Sequence, residues 1–163
     1  MQTNRTTPSN HIDAFETTLQ VTQQWIHEYA AKLGQAHPAL AYRCLRAALH
    51  AIRDRLPVSE AVALSAQLPM LLRGAYFEGW VPSHTPHAMR TPDELYERVS
   101  RELSGGLAAA PRDVMRAAFV LLNERIDEGE IRKVRHLLPE ELRRIWPEPG
   151  ARAATPSEQS STP

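Results

Sequence analysis

The sequence predicts an all-α protein whose two related halves pack as one compact bundle. Three observations lead there. Apolar residues recur at helical spacing over most of the chain, and no stretch alternates with the period of two that a half-buried strand needs. Prolines and capping residues fall just before the periodic segments, where helices begin. Residues 45–76 lie over 115–146 at an offset of 70 without a gap, with nine identities in 32 positions.

The first helix is predicted over about residues 12–33, with Asn10 as its N-cap and Asp13 in the first turn. Phe15, Leu19, Ile26, Tyr29 and Leu33 make its apolar stripe, and Gly34 suits the left-handed position that ends it. Pro38 starts a second helix, where a missing N–H costs nothing, and Leu45, Leu49, Ile52 and Leu56 form its stripe. Pro57 ends it. A short helix over 58–67 carries Ala61, Leu64 and Leu68 in phase. Pro69 opens a further turn with Leu71 and Leu72, predicted to stop near Gly74.

Residues 76–90, YFEGWVPSHTPHAMR, read as an ordered connector because two prolines and a glycine rule out a regular helix through most of it. Thr91-Pro92-Asp93-Glu94 then places an N-cap, an N1 proline and an N3 glutamate in register for a capping box. Leu95, Val99 and Leu103 follow, and Gly105-Gly106 ends that helix. Pro111 starts the next, with Met115, Phe119, Leu122 and Ile126 inward. Asp127 caps a short helix bearing Glu130, Ile131, Val134 and Leu138, and Pro139 opens the last turn through Leu142, Ile145 and Trp146.

This gives a single helical domain at 11–147, with a first half at 11–80, the connector at 76–90 and a second half at 91–147. Residues 1–10 and 148–163 hold little to bury and read as disordered tails. Between the halves, Arg55, Glu60 and Arg73 recur as Arg125, Glu130 and Arg143. Residues kept in both halves of a duplicated fold read as scaffold. Glu60 and Glu130 fall in the first turn of a short helix, where a carboxylate meets the positive end of the dipole.

The string Arg53-Asp54-Arg55-Leu56-Pro57, then Ala66-Gln67-Leu68-Pro69, Arg73-Gly74, Glu78-Gly79-Trp80 and Pro82, resembles the bacterial domain-of-unknown-function family 2267. Gly129-Glu130, Leu138-Pro139 and the Leu-x-x-x-Trp-Pro run from Leu142 to Pro147 are similar to that family's second half. The resemblance covers about residues 12–147. It implies an all-helical fold and brings no activity, cofactor or catalytic residue with it.

Composition narrows the function classes. The 163 residues carry 19 basic and 19 acidic side chains, for zero formal net charge. Nucleic-acid binding draws on neutralised phosphates, so a balanced chain needs its arginines clustered on one face. Arg43, Arg46 and Arg53 share helical phase beside Arg55, but salt-bridged surface is the better reading of that strip. No apolar run approaches the ~18 residues of a membrane span, and the N-terminus lacks the apolar stretch of a signal peptide. The expected location is cytoplasmic. Cys44 is the only cysteine, so there is no internal disulfide, and a small buried thiol is expected.

No catalytic set emerges. His84-x-x-His87 offers two metal ligands where zinc needs three or four, and reads as exposed loop histidines. His50 sits beside a core stripe and reads as a hydrogen-bonded, partly buried histidine. No cofactor and no metal are expected. The least ordinary feature is the connector. Tyr76, Phe77, Glu78 and Trp80, with Arg73 nearby, form a candidate interaction surface, since Trp, Tyr and Arg anchor interfaces. Trp80 alternatively plugs the end of the core, the preferred reading. The expected function is a noncatalytic module that binds an unknown protein partner or a second copy of itself. The alternative is an enzyme or small-molecule binder using a cleft between the halves, with Glu78, Arg73 and Arg143 as its polar groups.

Overall fold

The computed structural model describes residues 12–104 and 109–150. Its elements are α1 (Asp13–Leu33), α2 (Pro38–Arg55), α3 (Val58–Ser65), α4 (Met70–Phe77), a 3-10 turn (Pro82–His84), α5 (Pro92–Glu102), α6 (Pro111–Arg125), α7 (Glu128–Leu137) and α8 (Glu140–Ile145). There is no strand among the described residues. The N-cap proposed at Asn10, the helix end at Gly105-Gly106 and most of both tails lie outside them.

Local chemistry accounts for most helix ends. Gly34 takes the left-handed conformation, φ 72°, and its N–H closes onto Ala30 and Ala31. Thr91 and Glu94 form the full capping box at α5. The Asp127 carboxylate accepts from the N–H groups of Gly129 and Glu130 at α7. α1 starts after Ile12 at the N-cap position, with no side-chain cap. Asp13 and Glu16 in the first turn offset the dipole there instead.

α1 packs on α2 and α6. α2 packs on α4, α5 and α6, α5 also meets α6 and α8, and the short helices α3 and α7 touch each other. The Tyr29 hydroxyl donates to the Val114 carbonyl at 3.0 Å, pinning α1 to α6 inside the core. Lys32 to Glu124, at 2.6 Å, and Arg125 to Glu28 join the same helices at the surface. Trp146 is fully buried, stacks on Phe119 with centroids 4.5 Å apart, and donates its indole N–H to Asn123 at 2.9 Å.

Several elements correspond at an offset of 70. α2 ends at Arg55 and α6 at Arg125, and Pro69 and Pro139 precede α4 and α8 with nearly the same backbone angles. Arg73 donates to the carbonyls of Ser65, Ala66 and Leu68, and Arg143 donates to those of Arg135, His136 and Leu138. Both arginines thus close the loose carbonyl end of the preceding helix. Glu60 lies 2.7 Å from Lys133, an ion pair that bridges α3 and α7.

Four expectations need correction. Phe15 and Leu19 are not core: they are 62% and 49% exposed, and the buried residues of α1 are Thr22, Trp25, Tyr29 and Ala30. The reason is length. α1 has 21 residues against 18 in α2 and 15 in α6, so its N-terminal turns outrun their partners. The helix at Met70 does not stop at Gly74 but runs to Phe77. A mid-helix glycine costs only ~1 kcal/mol, and continuing the helix carries Tyr76 into the core. Leu71 faces outward, so only Leu72 of that pair is core. Beyond Trp146, Glu148 pairs with Arg135 and Pro149 is buried, so the folded part extends past 147.

Candidate functional site

The buried polar groups concentrate where α2, α4, α5 and the connector meet. α2 supplies His50, Arg53 and Asp54 from its core-facing side, each about 4% exposed or less. At the offset of 70 these positions hold Val120, Asn123 and Glu124, so this cluster belongs to one half alone.

Asp54 is the hub. Its Oδ1 accepts from Arg53 Nε at 2.8 Å and lies 2.7 Å from Arg53 Nη2, while its Oδ2 accepts from Arg98 Nε at 3.1 Å and Nη2 at 3.0 Å. One carboxylate therefore joins two guanidiniums in forked pairs. Arg53 Nη1 also donates to the carbonyls of Tyr76 at 2.5 Å and Glu78 at 3.1 Å. Arg55 Nε donates to the Met89 carbonyl at 2.8 Å, and the Asp54 carbonyl accepts from the His87 N–H at 2.6 Å. The last turn of α2 thus clamps both ends of the connector.

A second carboxylate extends the network. Glu102 Oε2 accepts from Arg98 Nη1 at 3.0 Å. Its Oε1 lies 2.8 Å from His50 Nδ1 and 3.5 Å from Arg46 Nε. His50 Nε2 sits 2.6 Å from the Ala75 carbonyl, which only accepts, so Nε2 carries a proton. Burial pushes the Glu102 carboxyl up, but His50 and Arg98 outweigh it and hold the group at about 2. That folded value lies below the ordinary 4.5, so the stability Glu102 contributes is complete above pH 4.5 and is lost as pH falls through 2. In acid melts, the stability gap between wild type and Glu102→Gln is expected to shrink steadily from pH 4.5 downward. A gap independent of pH would show that the carboxylate charge contributes nothing.

The predicted interaction residues do not share one surface. Tyr76 is fully buried, with its hydroxyl donating to the Ala61 carbonyl at 2.8 Å. Phe77 and Trp80 are half-buried against the core, with ring centroids 5.3 Å apart. Glu78 is exposed and receives Arg46 at 2.8 Å. Arg73 holds α3 carbonyls, and Arg143 holds those of α7, so the polar groups offered for a cleft between the halves serve separate helix ends. The arginine strip is also broken: Arg43 is exposed, Arg46 half-buried and paired, and Arg53 buried. Cys44 is fully buried, and burial pushes its thiol up.

Sequence reasoning missed Arg98 and Glu102. The available signal was their i, i+4 spacing directly beside the Leu95–Val99–Leu103 stripe, which puts them at the margin of the core.

No group of three or more His, Cys, Asp or Glu side chains among the described residues is placed to hold a metal. No helix among them is long and apolar enough to cross a membrane. No curated protein matches the chain. A family described as an uncharacterized conserved protein, DUF2267, matches over residues 22–145, which takes in the clamp, both short-helix pairs and the connector. The chain belongs to the DUF2267 family.

Proposed function

We propose that the protein is a noncatalytic helical module that associates with a second copy of itself through the overhanging end of α1. The observation that carries this is an exposed apolar face. Ile12, Phe15 and Leu19 on α1, and Met70 and Leu71 on α4, are each 47–62% exposed. Phe15, Leu19 and Thr22 follow one another at i, i+4 and i+7 along one side of α1. Thr22 lines an apolar groove of about 420 Å³ together with Tyr42, Met70, Leu71 and Gly74. Ridge and groove are therefore continuous, and a two-fold axis would lay each copy's ridge in the other's groove. Scattered apolar residues are ordinary at a surface; a contiguous patch is not. The five side chains offer on the order of 500 Å² per copy, which reaches the ~1,000 Å² in total that a specific interface requires.

The buried network favours a noncatalytic reading. A carboxyl held near 2 is a fixed charge at neutral pH rather than a proton carrier. Asp54 has both oxygens occupied by guanidiniums. Glu78 is the one residue of the predicted interaction set that lines the groove, at its polar margin.

Sedimentation of the full chain from about 1 to 100 μM tests this, since micromolar dimers bridge that range. A concentration-dependent dimer is expected. Leu19→Glu and Met70→Glu should each weaken it by about 30-fold, the scale of an interface anchor, with helicity unchanged and the melting temperature unchanged at dilutions where the wild type is monomeric. A chain that stays monomeric throughout, or a dimer indifferent to both changes, overturns the proposal.

A further inference from the structure

A second groove is independent of the α1–α4 face. α5, α6 and α8 enclose a cleft of about 470 Å³, lined by Tyr96 from α5, Arg112, Arg116 and Phe119 from α6, and Arg144 and Ile145 from α8. We propose that it is a binding site for an organic phosphate, a small molecule that joins a flat apolar body to a phosphate group.

The charge of the lining is the first argument. It holds three guanidiniums and, among the described residues, no carboxylate. Arg112 is exposed and forms no hydrogen bond or ion pair with a described residue. The other two are held loosely. Asp113 stands 3.7 Å from Arg116, Glu140 meets Arg144 one turn away on the same helix, and all four side chains are more than half exposed. Arg116 also donates to the Lys32 carbonyl at 3.4 Å. Exposed pairs of this kind contribute little and exchange readily for a better partner. With both acids counted, the cluster still has one cation more than it has anions. Arg112 and Arg116 are one turn apart on α6, a like-charge spacing that weakens a helix until an anion sits between them.

The second argument is the contrast with the apolar groove beside α1 and α4. Four positions of one lie 70 residues from four of the other: Thr22 and Pro92, Tyr42 and Arg112, Gly74 and Arg144, Ala75 and Ile145. Each half is hollow at the same sequence positions, but the chemistry differs. Glu78 is the one charged residue that lines the first groove. In the second, arginine stands in the places of Tyr42 and Gly74.

The donor set and the size select the ligand. A phosphate carries up to two charges and three acceptor oxygens, which suits three guanidiniums better than the single charge and two oxygens of a carboxylate. Beside the arginines, Tyr96, Phe119 and Ile145 supply apolar surface for a ring, and Phe119 is fixed by its stack on Trp146. The volume falls within the ~300–1,000 Å³ of small-molecule sites.

Phenyl phosphate and AMP, each titrated into the ¹⁵N-labelled full chain at ionic strength held constant with sodium chloride, test this. The main-chain signals of Tyr96, Arg112 and Ile145 report binding. Saturation at millimolar concentration or below is expected for at least one of the two. Arg112→Gln should weaken it by about tenfold, as loss of a hydrogen bond to a charged group does. Arg132→Gln, at an exposed arginine of α7 outside the cleft, should leave it unchanged. Inorganic phosphate should bind about tenfold more weakly than the better ligand, and phenol and adenosine should not saturate. Phosphate alone binding as tightly overturns the apolar half of the site, and phenol or adenosine binding as tightly overturns the phosphate half. Tighter binding by a short single-stranded DNA than by AMP moves the assignment to nucleic acid and overturns the small-molecule reading. Equal losses in the two arginine variants, or no saturation by either ligand up to about 50 mM, far above a millimolar dissociation constant, overturn the site.

Discussion

Asp54→Ala is expected to cost about 3–5 kcal/mol of stability, the scale for removing one partner of a buried ion pair. The loss is larger than the deleted contacts suggest. Arg53 remains about 3% exposed and loses its counter-ion, and Arg98 loses one of its two carboxylates. An uncompensated guanidinium in the core is the main penalty. Urea melts of wild type and variant measure it. Asp54→Asn keeps the size and two acceptor lone pairs but not the charge, and should fall between the two. An Asp54→Ala loss below about 1 kcal/mol would place the pair in the class of weak surface bridges and remove the clamp as an organising element.

Trp146→Ala is expected to cost a similar ~3–5 kcal/mol, the usual scale for deleting a buried large aromatic. The side chain is fully buried, its ring stacks on Phe119, and its N–H is bonded to Asn123. Trp146→Phe should lose less, because the stack survives while Asn123 loses its indole partner. A thermal melt that moves no further for alanine than for phenylalanine would show that the stacked ring contributes little.

The helix starts were legible because they depend on local chemistry. Pro38, Pro111, Thr91 with Glu94, and Asp127 each fix a first turn without reference to anything distant. What escaped depends on tertiary facts. The spacing of Phe15 and Leu19 says that they share a face, but the length of the neighbouring helices decides whether that face is covered. Gly74 looked like a stop because its own preference is visible and the reward for burying Tyr76 two residues later is not. The charged network was the hardest part. Arg53, Asp54, Arg98 and Glu102 have the residue types of a solvated surface, and only the approach of α5 to α2 puts them inside. The family resemblance did single out Arg53-Asp54-Arg55. The structure supplies the physical reason: these three side chains organise the centre of the chain.

That organisation is of a particular kind. Arg53 reads the carbonyls of Tyr76 and Glu78, Arg55 reads the carbonyl of Met89, and Asp54 receives the amide of His87 through its own carbonyl. Every one of these partners is a main-chain atom, and every residue type except proline at position 87 can offer it. The span between the two anchoring ends is therefore measured rather than recognised. Substitutions among the outward-facing side chains from Val81 to Ala88 leave the anchors in place, whereas inserting or deleting a single residue puts all of the distal atoms out of reach. Substitutions in this segment are accordingly expected to be tolerated better than any change in its length.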